Sequence, residues 1–311
     1  MKEHRLQARL MGSDFEFIVV TPTDTDDGLL DACATEVKRL ETLLTEFSET
    51  SVTAQVNRAA GKQAVTVPEE VYQLIHRSKT LSALTQGAFD ITAGVLKRLY
   101  NFKGGDFIWP DRNTLQDKLS CSGYDKLHLT PPNEVRLEKG GMHIAFGAVG
   151  KGYAADCVKA MLVKRGVTGG VINASGDLTA WGKRADGSPW KIGIADPDHP
   201  SRTLLWLPID GGSVATSGDY EQYVIRDGVR YSHTVDPKTG LPVRGIKSVT
   251  IVSTSAELSD ALATAVFVMG NDVGLHFLEQ LPHVHGLIVN DQNKIFTSRH
   301  LKIQHHEPAA G

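Results

Sequence analysis

The chain has 311 residues, of which 41% are hydrophobic and 22% are charged, and its formal net charge is −3. This composition is typical of a globular protein that can bury a large core. Charges of both signs are interspersed, which argues against a surface for nucleic acid or for an anionic membrane. No apolar run approaches the roughly 18 residues of a membrane-spanning helix.

The cysteines indicate the compartment. Cys33, Cys121 and Cys157 are odd in number and lack metal-site spacing, which suits a reducing compartment better than a disulfide framework. The first twenty residues alternate apolar and polar side chains and include acidic ones, which the core of a signal peptide does not tolerate. We therefore expect a cytoplasmic location. Because no repeat or linker divides the chain, we also expect one domain over residues 1–311, with a frayed tail at about 304–311.

The first half of the chain predicts strands and amphipathic helices in alternation. Phe15–Val20 is typical of a strand, Asp26–Thr45 of a helix, and a second helix runs from Pro68 to about Thr85. The Ser/Thr-rich run Phe47–Asn57 favours a loop. Further along, we expect an irregular loop at Gly104–Asn113, a short helix at Leu115–Leu119, and a hairpin of strands Lys126–Leu129 and Val135–Leu137.

A glycine-rich turn lies near the middle of the chain. Met142–Phe146 predicts a strand, which leads into G-A-V-G-K-G-Y-A-A-D, Gly147–Asp156, and then into a helix that lasts until Gly166. The N–H groups of a helix N-terminus and Lys151 would together suit a phosphate. The segment does not match the Walker A pattern or G-x-G-x-x-G. Spacing alone therefore slightly favours a purely structural glycine turn over a phosphate site.

The second half predicts mainly strands. The pair Asp227-Gly228 between apolar flanks indicates a hairpin with a two-residue turn, which delivers the chain to His233 at a strand end. A histidine at such a position is a candidate catalytic group, although a lone histidine is often merely structural. The other predicted strands are Val171–Asn173, Trp190–Ala195 and Val249–Ser253, with a closing hairpin of Leu287–Val289 and Lys294–Thr297.

One helix carries two oxygen ligands on the same face. The segment Ser259–Gly270 has apolar residues at intervals of three and four, Ser255 or Ser259 can cap its start, and Gly270 can end it. Asp260 and Thr264 stand one turn apart, a pair that suits a hard cation such as Mg²⁺. The alternative is an aspartate favoured by the helix dipole and a threonine that only packs.

Four segments in one order resemble the ApbE family of flavin transferases: G-A-F-D-I-T, G-A-V-G-K-G-Y-A-A-D, A-T-S-G-D-Y-E followed by H-T-V-D-P-K-T-G, and S-D-A-L-A-T-A. The resemblance extends from about Met11 to about Gly270. It implies an α+β fold with mixed or antiparallel sheets flanked by helices, and a central cleft for FAD and Mg²⁺. It also implies transfer of the FMN part of FAD to a Thr or Ser hydroxyl of an acceptor protein, with release of AMP.

The resemblance also implies roles for single residues. The metal site falls on the carbonyl of Ala148 and the side chains of Asp260 and Thr264, and His233 stands beside the pyrophosphate. The implied flavin contacts are Met11, Phe47, Ala88, Phe89, Asp90, Lys151, Thr216 and Val235. Phe47 replaces a common Tyr, which keeps a stacking surface but loses a hydroxyl. Ala145 stands where many members have Asp, so FAD binding is expected to differ here.

The expected mechanism uses His233 and Asp260 as catalytic residues. Asp260 acts through Mg²⁺, and His233 is the candidate general base, with phosphate hydrogen bonding as its alternative role. Asp236 either orients His233 or builds the following turn. Two other functions remain open at this point: a metal-dependent FAD pyrophosphatase that yields FMN and AMP, and a non-catalytic FAD-binding protein.

Overall fold

The computed structural model describes residues 1–102, 107–209, 211–219 and 222–302. This part of the chain contains strands and α-helices, with eight consecutive strands between α6 and α7. The strands are β1 (Lys2–Leu10), β2 (Ser13–Thr21), β3 (Val65–Thr66), β4 (Leu127–Thr130), β5 (Glu134–Leu137), β6 (Gly169–Ala174), β7 (Asp177–Trp181), β8 (Trp190–Ala195), β9 (Thr203–Ile209), β10 (Gly212–Gly218), β11 (Tyr223–Arg226), β12 (Val229–Ser232), β13 (Ile246–Ser253), β14 (His285–Asn290) and β15 (Ile295–Thr297). The helices are α1 (Leu29–Leu44), α2 (Val52–Arg58), α3 (Glu69–Leu84), α4 (Gly94–Lys97), α5 (Arg112–Ser120), α6 (Gly150–Lys164), α7 (Ala256–Met269) and α8 (Asn271–Leu278).

An eight-stranded sheet forms the centre of the fold. Its order is β1-β2-β6-β7-β10-β13-β14-β15, and each neighbouring pair is antiparallel. The three-stranded sheet β3-β5-β4 and the hairpins β8-β9 and β11-β12 are separate from it. The fold is α+β, as the resemblance implies.

Both faces of the central sheet are covered. Phe17 and Val19 of β2 pack with α1 and α6, whereas Ile18 and Val20 point to the other face and pack with the hairpin β8-β9. Because successive side chains of a strand alternate between faces, a strand buried on both sides is apolar almost throughout. This explains the run F-I-V-V that made the strand predictable.

Helix α7 lies between two parts of the core. Ala261 and Ala265 pack in the cluster built around α3 and β5, whereas Leu262 and Val266 pack against β13 and β14. Two sides of this helix are therefore apolar and buried. Its start is capped by Ser255, whose Oγ accepts the N–H of Leu258, as predicted. Since α7 joins the two clusters, we propose that residues 1–311 form one domain.

Most predicted elements are confirmed, but the strand Met142–Phe146 is wrong. This segment joins no sheet because its backbone groups are bonded elsewhere. The side chain of Asn57 accepts the N–H of Ile144 at 2.8 Å and donates to its carbonyl at 3.0 Å, and the N–H of Ala145 donates to Ile91. An apolar run predicts burial, but it does not show whether a strand will find a neighbour.

Two loop predictions are corrected in part. Only the beginning of Phe47–Asn57 is a loop, because Ser51 caps α2 by accepting the N–H of Ala54. Of the predicted loop Gly104–Asn113, residues 104–106 lie outside the described part of the chain. Its last two residues belong to the first turn of α5, which Asp111 caps. The predicted frayed tail also lies outside the described part. Among the described residues, no helix has the length and apolar character needed to cross a lipid bilayer.

Candidate active site

A cleft of about 530 Å³ opens between α7, β10 and the segments that follow α3 and precede α6. It brings together residues that are as far apart in sequence as Phe47 and Thr264. Of the predicted site residues, those that line it are Phe47, Ala88, Phe89, Asp90, Ala148, Lys151, Thr216, His233, Val235, Asp260 and Thr264. The predicted set is therefore gathered in one place, with Met11 as the exception.

Close packing of α6 against α7 sets the floor of the cleft. A Cβ atom on Gly152 would stand 2.2 Å from the carbonyl oxygen of Ala256, so only glycine allows this approach. The carboxylate of Asp156 accepts the N–H groups of Ala256 and Glu257 at 3.0 and 2.9 Å, which ties α6 to the first turn of α7. The second glycine of G-K-G and the aspartate after it thus place Lys151 beside α7.

The face of α7 that lines the cleft carries oxygen atoms. The Oδ2 atom of Asp260 accepts the N–H of Gly152 at 3.3 Å, and the Oγ1 atom of Thr264 lies 3.3 Å from the hydroxyl of Ser217. In the described residues no three His, Cys, Asp or Glu side chains converge as a metal cluster. A cation here would therefore depend on one carboxylate and neutral oxygens. Carboxylate, hydroxyl and carbonyl oxygens are hard ligands, so Asp260, Thr264 and the carbonyl of Ala148 fit Mg²⁺.

Lys151 is held by a buried carboxylate. Its Nζ atom lies 2.6 Å from Oδ2 of Asp177 at the start of β7. Asp177 is almost completely buried, and the backbone N–H of Thr216 also donates to it. Removal from water raises the pKa of the Asp177 carboxyl, and the Lys151 ammonium opposes that rise. The pair keeps a cation at a defined point of the cleft.

The orientation of His233 is set by a backbone carbonyl. Its Nδ1 atom lies 3.1 Å from the carbonyl oxygen of Gln222. Because a carbonyl only accepts hydrogen bonds, Nδ1 carries the proton and Nε2 carries the lone pair. Burial lowers the pKa of His233 to about 4, and the positive charges of Lys97 and Lys151 act in the same direction. His233 is therefore a neutral imidazole at pH 7.

Asp90 holds the turn after α3. Its Oδ1 atom accepts the N–H and the hydroxyl of Thr92, both at 2.8 Å, and its Oδ2 atom accepts the N–H of Tyr124 at 2.8 Å. Burial raises the pKa of this carboxyl, which the three hydrogen bonds oppose. Asp90 therefore fixes the shape of the Ala88–Asp90 segment that lines the cleft.

The model of the ApbE family matches residues 11–288 of this chain. The chain belongs to the ApbE family. Among its relatives, the FAD:protein FMN transferase of Klebsiella pneumoniae (strain 342) is 32% identical over 294 residues, which cover 94% of this chain and 90% of the relative. The FAD:protein FMN transferase of Treponema pallidum (strain Nichols) is 30% identical over 285 residues, covering 86% of this chain and 79% of the relative.

Solved structures of the family share the fold. The ApbE protein of Thermotoga maritima superposes with a TM-score of 0.88 at 32% identity, covering 96% of this chain and 97% of that one. The flavinyl transferase ApbE of Pseudomonas stutzeri, in its apo form, superposes with a TM-score of 0.87 at 27% identity, covering 96% and 95%. The likeness therefore includes both the central sheet and the segments around the cleft.

Met11 and Asp236 differ from the other predicted residues of this ApbE-family chain. Met11 does not line the cleft, but its Cε atom reaches within 3.6 Å of the point where a Cβ on Gly150 would stand. It thus lies against the glycine turn, and its contact with flavin stays a prediction. Asp236 does not orient His233. Its carboxylate accepts the N–H of Lys238 and the hydroxyl of Thr239, so it builds the turn.

Three residues of the site had no role assigned from sequence. Asp177 ends the segment A-S-G-D, Asp156 ends G-A-V-G-K-G-Y-A-A-D, and Gln222 contributes only its carbonyl. An aspartate directly after a conspicuous glycine was a signal for Asp177, but its partner is 26 positions away. No sequence signal identifies a backbone carbonyl as the partner of a histidine.

Proposed function

We propose that this chain is a Mg²⁺-dependent FAD:protein FMN transferase, which moves the FMN part of FAD to a Thr or Ser hydroxyl of an acceptor protein and releases AMP. The observation that carries the proposal is the neutral His233, oriented by the Gln222 carbonyl, in the same cleft as Lys151 and Asp260. The names of the relatives from Klebsiella pneumoniae and Treponema pallidum support the same reaction.

His233 acts as the general base in this proposal. The acceptor hydroxyl oxygen attacks the phosphorus of the FMN half, and its proton passes to Nε2 of His233. The bond between that phosphorus and the bridging oxygen breaks, and AMP leaves with the electron pair. A base must be unprotonated at the working pH, and the low pKa of His233 keeps it so.

Lys151 stabilises negative charge on the phosphates. Asp177 fixes the ammonium at the start of α6, where the helix N-terminus also favours anions. A cation that is already in place needs no rearrangement as charge develops on the oxygens. The proposal therefore assigns Asp177 a positioning role through Lys151, without contact with the substrate.

The metal ligands in this proposal are the carboxylate of Asp260, the hydroxyl of Thr264 and the carbonyl of Ala148. When bound there, Mg²⁺ supplies neutralisation of charge on the pyrophosphate oxygens. Gly152 donates its N–H to Asp260 and so holds that carboxylate toward the cleft floor. Phe47, whose side chain is 89% exposed beside the cleft, offers an aromatic face for the flavin ring.

The acceptor is proposed to be a cytoplasmic protein, or the cytoplasmic face of a membrane complex, which carries an FMN-binding domain or is a flavoprotein reductase. The state of the cysteines supports this location. Cys33 and Cys121 are buried thiols, Cys157 is partly buried, and none of the three is in a disulfide. Unpaired thiols are typical of a reducing compartment.

The test is to incubate the pure protein with FAD and Mg²⁺, with and without an FMN-binding acceptor domain, and to separate the products. We expect AMP and covalently bound FMN to form in equal amounts only when the acceptor is present. Mass spectrometry should find one FMN on a Thr or Ser. The His233→Ala variant serves as the control for background reaction.

The same experiment separates the alternatives. Equal release of free FMN and AMP without acceptor would identify an FAD pyrophosphatase. FAD that stays intact under both conditions would identify a binding protein. Flavin attached to Cys or His would contradict the hydroxyl assignment while leaving flavin transfer in place.

A further inference from the structure

The β11-β12 hairpin has the candidate base at its foot. Gln222 directly precedes β11, and His233 directly follows β12. The carbonyl of Gln222 accepts the backbone N–H of His233 at 3.0 Å and faces Nδ1 of the same residue at 3.1 Å. The contact that closes the hairpin is therefore also the contact that orients the imidazole.

One face of this hairpin is packed against the protein. Val224 contacts the core cluster around α3, and the ring of its cross-strand partner Tyr231 meets Trp109 edge to face at 5.1 Å. The guanidinium of Arg226 donates to the carbonyl of Phe107 at 2.8 Å. These contacts attach residues 107–109 to the hairpin.

The other face of the hairpin is apolar and exposed. Because strand residues alternate, Tyr223 and Ile225 point away from the packed face, and they are 41% and 62% exposed. The guanidinium of Arg230 lies 3.7 Å from the centre of the Tyr223 ring and is anchored on the buried Asp219 at 2.6 Å. An aromatic ring held in this way loses little freedom when a partner covers it.

The packed face of the hairpin is connected to the cleft through an aromatic cluster, which ends at Trp109 against Tyr231. Tyr100 and Phe102 line the cleft, and their rings lie 5.8 and 5.6 Å from Phe107. The next two residues, Ile108 and Trp109, are 70% and 40% exposed. We use the name hairpin surface for two exposed apolar pairs that flank the hairpin, Ile108 and Trp109 beside its packed face and Tyr223 and Ile225 on its other face.

We propose that the hairpin surface is where the acceptor protein docks, with an apolar segment next to the Thr or Ser that receives FMN. This inference rests on the proposed function, in which a protein hydroxyl must reach Nε2 of His233. Tyr223 follows Gln222, which lines the cleft and faces His233. Ile108 follows Phe107, which packs on the cleft lining. A segment seated on either pair therefore has its neighbouring residues at the cleft mouth. Aromatic side chains such as Trp109 and Tyr223 are among those that carry most of the affinity in protein interfaces, and the apolar residues around them exclude water.

The test replaces Ile225 and Ile108 singly with Asp, because an exposed aliphatic residue can change to a charged one without disturbing the core. The matched control is Val273→Asp, since Val273 is 61% exposed on α8 and lies outside the cleft lining. Initial rates of FMN attachment are measured against the concentration of an FMN-binding acceptor domain that the wild-type chain modifies. FAD affinity is measured by fluorescence, and folding by thermal unfolding.

We expect each hairpin variant to raise the KM for the acceptor by roughly tenfold, the scale of one interface residue. FAD affinity should stay within about twofold of wild type, since neither residue lines the cleft. Val273→Asp should change neither quantity. Should an Asp variant fold poorly, Ile225→Ser is expected to raise the KM in the same direction by a smaller factor.

An unchanged acceptor KM in both folded hairpin variants would overturn the docking proposal. So would variants that convert a wild-type dimer to a monomer, by sedimentation, without changing that KM, because the surface would then join two copies of this chain. A wild-type chain that attaches no FMN to any acceptor contradicts the proposed function itself. That outcome appears before any variant is compared, so the two failures are distinguishable.

Discussion

Lys151 and Asp177 form a buried ion pair at the floor of the cleft, with 2.6 Å between Nζ and Oδ2. The two residues belong to different elements, α6 and β7, and both line the cleft. Asp177 therefore holds the Lys151 ammonium in place whether or not a ligand is bound. The first prediction follows from this arrangement.

We expect Asp177→Asn to lower the rate of FMN transfer by up to roughly 10²-fold, because a catalytic cation displaced by about 1 Å loses that much. The amide can still accept the N–H of Thr216, so the variant should fold. The matched control is Asp198→Asn, which removes the carboxylate partner of Lys247, also at 2.6 Å, outside the cleft. Steady-state rates of both variants are compared with wild type.

A double variant shows whether Asp177 acts through Lys151. If it does, Lys151→Ala combined with Asp177→Asn should be no slower than Lys151→Ala alone, since the second change removes nothing more. Multiplied losses in the double variant would mean that Asp177 has a separate role in the fold or in the reaction.

The low pKa of His233 predicts over which pH range this side chain is charged in the unliganded protein. Its pKa is lowered to about 4, so an NMR titration should find the ring neutral at pH 6 and protonated only near pH 4. FMN transfer should accordingly keep its dependence on His233 down to about pH 5. We expect Lys97→Gln to raise the pKa of His233, because Lys97 repels the imidazolium. A pKa unchanged in Lys97→Gln would exclude that charge as a cause.

Protonation of His233 also affects the stability of the folded chain, which should fall as the pH falls. The unfolded chain binds a proton on His233 near pH 6.5, whereas the folded chain does so only near pH 4. In this window the unfolded state binds more protons, so the folded state loses stability as the pH falls from about 6.5 to about 4. Urea unfolding at both ends of the window should show a smaller loss for His233→Ala than for wild type.

Variants of Asp260 and of His233 should differ in how FAD binding depends on Mg²⁺. We expect Asp260→Asn, which keeps the shape of the side chain, and Asp260→Ala to abolish both FMN transfer and any slow FAD hydrolysis, with weaker FAD binding. His233→Ala should reduce transfer by roughly 10²–10⁴-fold and leave Mg²⁺-dependent FAD affinity nearly intact. FAD binding is titrated against Mg²⁺ for each variant. Normal Mg²⁺-dependent binding and turnover in Asp260→Ala would refute the metal site.

Replacement of Ala145 by Asp is predicted to raise the affinity for FAD. The residue lines the cleft beside Gly94, and its Cβ lies 3.2 Å from the point where a Cβ on Gly94 would stand. We expect Ala145→Asp to tighten FAD binding by ~1–3 kcal/mol, through hydrogen bonds from the ribose hydroxyls or the adenine amine. Ala145→Asn is the matched control without charge. Calorimetry that finds equal or weaker binding for Asp would show that the missing carboxylate is not a simple lost contact.

Local features of the fold were predictable from the sequence. The period of α7 and its terminal residues Ser255 and Gly270 are set by hydrogen bonds between residues three or four positions apart. The Asp227-Gly228 turn of the β11-β12 hairpin has both residues at positive φ, a conformation that this pair of residues tolerates. Such signals involve residues only a few positions apart, so they can be recognised in the sequence directly. The ordered segments around the cleft were likewise sufficient to indicate the ApbE family.

Only the tertiary structure decided how these segments bond to one another. Asn57 takes the backbone groups of Ile144, 87 positions away, and so prevents the strand that the apolar run predicts. Asp177 pairs with Lys151, and the Gln222 carbonyl, rather than Asp236, orients His233. Each of these contacts forms because packing of the sheet, α6 and α7 brings distant groups within hydrogen-bond distance. Residue type and spacing do not indicate which buried donor will bond to which acceptor.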